Sequence, residues 1–182
     1  MRGLSTVRGR WTLFAIVAIV VVIADQLSKL WVDANFAPAP TQPTPGYPAP
    51  TPVIGEFVRI AKAYNSGGIF GLFGNTAVIL ALSSTVVIGL IIVYEWREGT
   101  RNPWPLSLAL GLLLGGAVGN FIDRVRIGAV IDFVDMGIGN ARFYTFNIAD
   151  SAISTALLLF ILIGFFGERI YARLQDRPAI DG

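Results

Sequence analysis

Apolar residues run along this chain in four long stretches, roughly 11–31, 76–96, 104–121 and 149–167. Polar residues are confined to the ends of these stretches and to the segments between them. A helix needs about 20 mostly apolar residues to cross the hydrocarbon core, so the pattern predicts four transmembrane helices. Tryptophans at 11, 31, 96 and 104 fall at the expected ends, where indole rings prefer the membrane–water interface. The fold class is therefore an all-α membrane bundle, one domain over 182 residues. The first stretch follows Arg2, Arg8 and Arg10 and has the outline of a secretory signal peptide. It is read as a span because it is long, holds polar residues near its end, and has prolines crowding the small-residue site near Ala37.

Basic residues orient the spans. Arg2, Arg8 and Arg10 precede span one, Arg97 and Arg101 lie between spans two and three, and Arg169, Arg173 and Arg177 follow span four. With four spans these segments share one side, expected to be the cytoplasm. Both termini, including a tail at 168–182, are then inside, and residues 32–75 and 122–148 face outward. In the first outer segment, APAPTQPTPGYPAPTP at 37–52 holds seven of the ten prolines. That composition favours extended polyproline II and reads as a surface spacer outside any core. GEFVRIAKAYN at 55–65 is expected to form short strands on the membrane surface, and NSGGIFGLFG at 65–74 reads as a glycine-rich turn back into span two. In the second outer segment, residues 129–134 are strand-like, with Asp132 and Asp135 in or beside them and Gly137 and Gly139 following.

Composition narrows the chemistry. Hydrophobic residues make up 54% of the chain and charged residues 14%, against about 25% charged in soluble domains. A net charge of +2 on scattered basic residues offers no stripe for a phosphate backbone, so nucleic acid is not an expected partner. Without cysteine there is no thiol nucleophile, disulfide or thiolate metal site. Without histidine there is no Ser-His catalysis, imidazole ligand or HExxH zinc motif. Acid–base work near neutral pH is left to Asp, Glu, Lys or Tyr.

Ionisable groups in or beside lipid are costly and tend to mark function. In this chain none lies near an expected midplane, and the acidic residues gather at the outer ends of the spans. Asp25, Gln26 and Lys29 occupy the last turns of span one. Four apart, Asp25 and Lys29 share a helix face and can pair, as a structural ion pair or in contact with substrate. Span three carries Gly111, Gly115 and Gly119, a small-xxx-small stripe that lets another helix approach. It ends in GNFIDR, where Asn120 and Asp123 can face one cleft and Arg124 can neutralise Asp123. Span four opens with FNIADSAIS at 146–154, which places Asn147 as an N-cap and Asp150 in the first turn, at the positive end of the helix dipole. Asp150 either helps to start the helix or acts as an ionised general base. Two carboxyls held close share one proton. The charged one deprotonates a water and the protonated one hydrogen-bonds the scissile carbonyl. This hydrolysis needs no cofactor or metal. Asp150 is the natural first partner; Asp123, Asp132 and Asp135 all stay open as the second, because a loop can fold any of them back.

Taken together the motifs resemble the lipoprotein signal peptidases (signal peptidase II) of bacteria. DQLSK at 25–29, NSGGIF at 65–70, GGAVGNFIDR at 115–124, GAVIDF at 128–133 and FNIADSAI at 146–153 match that family's boxes in order. The resemblance covers nearly the whole chain outside the proline-rich insert and the tails. It implies an aspartic dyad of Asp132 and Asp150, with binding or supporting roles for Asp25, Lys29, Asn65, Gly67, Asn120, Asp123, Arg124 and Asn147. Of these, Asn65, Arg124 and Asn147 are expected nearest the substrate, and Asp123 is expected to support the site, paired with Arg124. The implied substrate is a prolipoprotein whose lipobox cysteine already carries diacylglycerol, cut just before that cysteine. The implied setting is the bacterial cell membrane, with the chain working among membrane lipids as a monomer and the site near the extracytoplasmic face. A small β platform and a flexible segment over the site are also implied, and Gly137 and Gly139 would suit such a lid.

Departures from the family pattern are the long insert at 37–52, Ser66, Gly68 and Ile69 in the second box, Tyr144 before the FN pair, and Arg142 in the same loop. None removes a catalytic group. Two rivals belong to other classes. A small transporter or channel would place charges deep within the spans, and a non-catalytic scaffold would rest on the glycine stripe and tolerate loss of both aspartates.

Overall fold

The computed structural model describes residues 7–41, 44–67, 76–99 and 102–175. Four long helices and four strands follow in the order α1 (Val7–Asn35), β1 (Thr51–Ile54), β2 (Val58–Asn65), α2 (Thr76–Glu98), α3 (Trp104–Ile127), β3 (Val130–Ile138), β4 (Ala141–Arg142) and α4 (Ile148–Gln175). All four helices are long and apolar enough to cross a membrane. They contain the four expected spans and extend past them, because helices continue beyond the lipid where their polar ends meet water or protein.

The bundle is built around α3. Half of its hydrophobic window is buried in protein, against 28% for α1, 17% for α4 and 11% for α2, so the other three turn most of their apolar surface outward. The glycine stripe explains the close approach. A Cβ on Gly115 would stand 2.6 Å from the Cβ of Val21 and 2.8 Å from the carbonyl of Ala18, and one on Gly111 would stand 2.8 Å from the carbonyl of Phe14. Gly116, one position off the stripe, does the same for α4: its Cβ would meet the carbonyl of Ala149 at 2.5 Å. The central helix therefore uses two glycine faces where the sequence suggested one. Gly115→Ala should destabilise the fold by about 1–3 kcal/mol through overpacking. Gly89→Ala, where an added Cβ meets nothing within 4 Å, should cost nothing. Thermal unfolding of both variants in detergent tests the pair, and equal midpoints would sink the packing explanation.

The sheet is antiparallel in the order β1-β2-β3-β4. Gly128 stops α3 in a left-handed conformation (φ 72°), with its N–H bonded to the carbonyl of Arg124. The chain then turns directly into β3. The strand is longer than the expected 129–134 and runs to Ile138.

Two expectations are corrected here. The insert is not wholly a spacer. Pro38 pairs with Lys62 in a parallel bridge, the Ala39 N–H reaches the Lys62 carbonyl at 3.0 Å, and Ala39 is buried. A bulge in β2 between Ile60 and Ala63 interrupts its pairing with β3, and the insert takes up the Lys62 carbonyl there. Residues 44–49 do stay exposed, and 51–54 become β1. Gly137 and Gly139, expected to suit a lid, instead build a tight hairpin. Gly139 turns the chain at φ 55°, and Gly137 lies within β3 with no room for a Cβ beneath the backbone of Ala141 and Arg142. The turn expected over 65–74 lies outside the described residues beyond Gly67.

Candidate active site

Helix α4 begins with a reciprocal cap. Asn147 Oδ1 accepts the Asp150 N–H at 2.9 Å, and Asp150 Oδ2 accepts the Asn147 N–H at 3.2 Å. This is the arrangement a residue at the cap and another three positions on can form. A further helix donor is satisfied from α1, where Asp25 Oδ1 accepts the Ala149 N–H at 2.9 Å. Asp150 thus takes the first of the two roles its position left open. One oxygen helps to start the helix, and the other, Oδ1, faces inward and accepts Asn120 Nδ2 at 2.8 Å.

Asp132 comes from β3. Its side chain is almost fully buried. Asn147 Nδ2 donates to its Oδ1 at 2.7 Å, and Asn65 Nδ2 donates to its Oδ2 at 2.9 Å. Asn65 is itself oriented by the Gly67 N–H on its Oδ1 at 2.8 Å. Asn147 therefore holds both carboxyls, one through its side chain and one through its backbone. Burial pushes the Asp132 carboxyl up to about 6, and the charge of Asp150 pushes the same way. The hydrogen bonds from Asn65 and Asn147 and the charge of Lys29 pull it back. A raised carboxyl beside a second carboxyl is the condition for sharing a proton.

Beneath the pair lies a buried ionic cluster. Lys29 Nζ sits 2.8 Å from Asp25 Oδ2, 2.9 Å from Asp123 Oδ2 and 3.0 Å from Asn120 Oδ1. With its oxygen on Lys29, the Asn120 amide points its nitrogen at Asp150. Asp123 also accepts the Ile131 N–H at 3.2 Å, which pins the start of β3 one residue before Asp132. The expected pair of Asp25 with Lys29 is present. The expected pair of Asp123 with Arg124 is not: Asp123 turns inward to Lys29, because its neighbour on the helix points to another side. Arg124 donates to the Asn120 carbonyl at 3.2 Å, and its charge acts on Asp150, Asp132 and Asp123 from the half-buried rim.

Asp135, an open candidate for the second carboxyl, belongs elsewhere. Three positions apart in a strand, Asp132 and Asp135 point to opposite faces. Asp135 is fully buried between Arg59 at 2.7 Å and Arg142 at 2.9 Å. Gln26 was passed over. Its Nε2 donates to Asp25, Asp123 and the Gly119 carbonyl, each at 3.1 Å, and so bridges the two carboxylates around Lys29. Its place beside Asp25 in DQLSK was the available signal. Glu95 was also missed. It is buried at the opposite end of the bundle, taking Asn102 at 2.9 Å and Ser107 at 3.2 Å, and it ties α2 to α3 away from this site.

Comparison with known proteins adds independent findings. Residues 17–166 match the family model described as signal peptidase (SPase) II. A lipoprotein signal peptidase of Moorella thermoacetica is 36% identical over 146 residues, 80% of this chain and 88% of that protein. One from Caulobacter vibrioides is 36% identical over 176 residues, 92% of this chain and 95% of that protein. A solved bacterial membrane enzyme superposes with a TM-score of 0.71 at 29% identity, over 82% of this chain and 90% of its own.

Proposed function

This chain belongs to the signal peptidase II family, and from that footing we propose that Asp132 and Asp150 form the aspartic dyad with which it cuts. The enzyme is a multi-pass membrane protease that removes signal peptides from prolipoproteins. The observation that carries the dyad is the double grip of Asn147, 2.7 Å to Asp132 and 3.2 Å to Asp150. Asp132, the carboxyl raised by burial, carries the shared proton and donates it to the scissile carbonyl. Asp150 takes the proton of an attacking water. As the tetrahedral intermediate collapses, that proton passes to the leaving amine, the C–N bond breaks, and a hydroxyl of the intermediate returns its proton to Asp132 as the carbonyl re-forms. Asn65, Asn120 and Asn147 hold the two carboxyls in place. Arg124, charged and at the rim, adds positive potential where negative charge develops.

The substrate is a prolipoprotein with diacylglycerol on its lipobox cysteine, cut before that cysteine. Such a molecule lies in the membrane with its cleavage site at the interface, level with carboxyls held on β3 and at the start of α4. The basic residues of the tails and of the α2–α3 connection support a topology with both termini in the cytoplasm and the dyad at the outer face. The enzyme works as a monomer among membrane lipids.

A cleavage assay with a lipidated precursor over a range of pH tests this reading. The dyad works with one proton. Activity falls at low pH as a second proton arrives, and falls again as the shared proton is lost. The alkaline limb of kcat/KM, which reports the free enzyme, is expected near pH 6. In kcat it should lie higher, because bound substrate excludes water from the pair. A flat profile from pH 4 to 9, or equal cutting of the unlipidated precursor, would refute the proposal.

A further inference from the structure

Arg142 stands ten residues beyond Asp132 and eight before Asp150, in the only stretch of chain that joins them directly. Past the hairpin this stretch folds back along β3. Gly137 pairs with Arg142, the Phe143 N–H reaches the Met136 carbonyl at 2.7 Å, and Val134 and Phe146 exchange bonds at 2.8 and 3.1 Å. The ladder ends at Asn147, whose amide takes Asp132 and whose backbone caps Asp150. The register of this return segment therefore fixes how the two carboxyls meet.

Arg142 locks that register where the ladder begins. Its Nε donates to Asp135 Oδ1 at 2.9 Å. Its Nη1 donates to the carbonyls of Gly137 at 2.8 Å and Glu56 at 2.7 Å, and its Nη2 to the carbonyl of Asp135 at 3.2 Å. The other Asp135 oxygen is held by Arg59 Nε at 2.8 Å and Nη2 at 2.7 Å. One buried carboxylate thus joins β2, β3 and the return segment, and the guanidinium adds the turn between β1 and β2. Gly137 leaves room for the arginine to cross: a Cβ there would lie 3.0 Å from Arg142 Cδ.

We propose that Arg142, through Asp135, is a positioning residue for cleavage: it sets the register of the segment between the two catalytic aspartates from the face of the sheet opposite to them. The proposal rests on the dyad assignment above.

The test compares wild type, Arg142→Gln and Arg142→Lys on the lipidated precursor, with rates taken per folded protein. Arg142→Gln should lower kcat about 10- to 100-fold, as expected when reacting groups shift by an ångström or less, with KM little changed. The alkaline limb of kcat/KM should shift, since the Asp150 charge and the Asn147 hydrogen bond both act on Asp132 and both depend on this register. Arg142→Lys restores the ion pair with Asp135 and should recover most of kcat. The lysine variant also keeps the test alive if the glutamine variant does not fold. Lower thermal stability with kcat and the pH profile unmoved would overturn the proposal, leaving a purely structural clasp. So would a raised KM with kcat intact, or a lysine variant no better than glutamine. Failure of the dyad reading itself shows separately, as cleavage surviving in Asp132→Asn or Asp150→Asn.

Discussion

Asp132→Asn and Asp150→Asn should each leave the fold standing and lower kcat for a lipidated precursor by at least about 10³-fold, within the range general acid–base groups contribute. Asparagine keeps the size of the side chain and one acceptor oxygen, so each variant keeps one of the two hydrogen bonds its carboxylate accepts. What it cannot do is exchange a proton. The two single variants and the double variant should be about equally inactive, because groups that act as one unit lose nearly everything at the first substitution. Asp135→Asn is the matched control. It removes a carboxylate from the same strand, yet that carboxylate faces the two arginines. Any effect it has should be smaller than that of Asp132→Asn. Substantial cleavage by either dyad variant would take that residue out of the mechanism.

Lys29→Met should be the most damaging single change to stability, costing about 3–5 kcal/mol. That is the penalty for removing one partner of a buried ion pair and leaving the other charge uncompensated. Here two charges are stranded, since Asp25 and Asp123 both rely on Lys29 and none of the three side chains is more than 3% exposed. The loss should also reach activity, because Asn120 would no longer be oriented toward Asp150. Asp25→Asn and Asp123→Asn added to Lys29→Met remove the stranded charges and should recover much of the stability. Thermal unfolding in detergent reads both effects. A Lys29→Met protein that unfolds with wild type, or a triple variant less stable than the single, would rule out the ionic explanation.

The cluster also shows why parts of the site were legible in advance. The pairing of Asp25 with Lys29 and the cap of Asn147 on α4 are contacts of four and three residues. Helix periodicity fixes such contacts once the helix is placed. The partner of Asp123 was misjudged because the rule that suits neighbours on one helix says nothing about a lysine 94 residues earlier. Asp132 and Asp135 could have been separated by strand alternation had the strand been expected to run past Val134. What hid its true length is its pairing with the return segment that follows it and with Arg59, 76 residues before Asp135. The insert was read as a spacer from its prolines alone. Its anchoring at Ala39 depends on a bulge in β2 that its own sequence does not encode.

Local pattern along the chain is enough for the four spans, the cap of α4, a small-residue face of α3 and the set of groups able to do chemistry. Each of these follows from local periodicity or from which side chains exist at all. Packing alone brings Asp132 to the Asn147 amide that caps Asp150, gives Lys29 two carboxylates, and locks Asp135 between Arg59 and Arg142. Those choices are made by backbone direction, where Gly128 ends α3 and where β3 meets β2. Side chains distant in sequence become neighbours only after the helices and the sheet have packed.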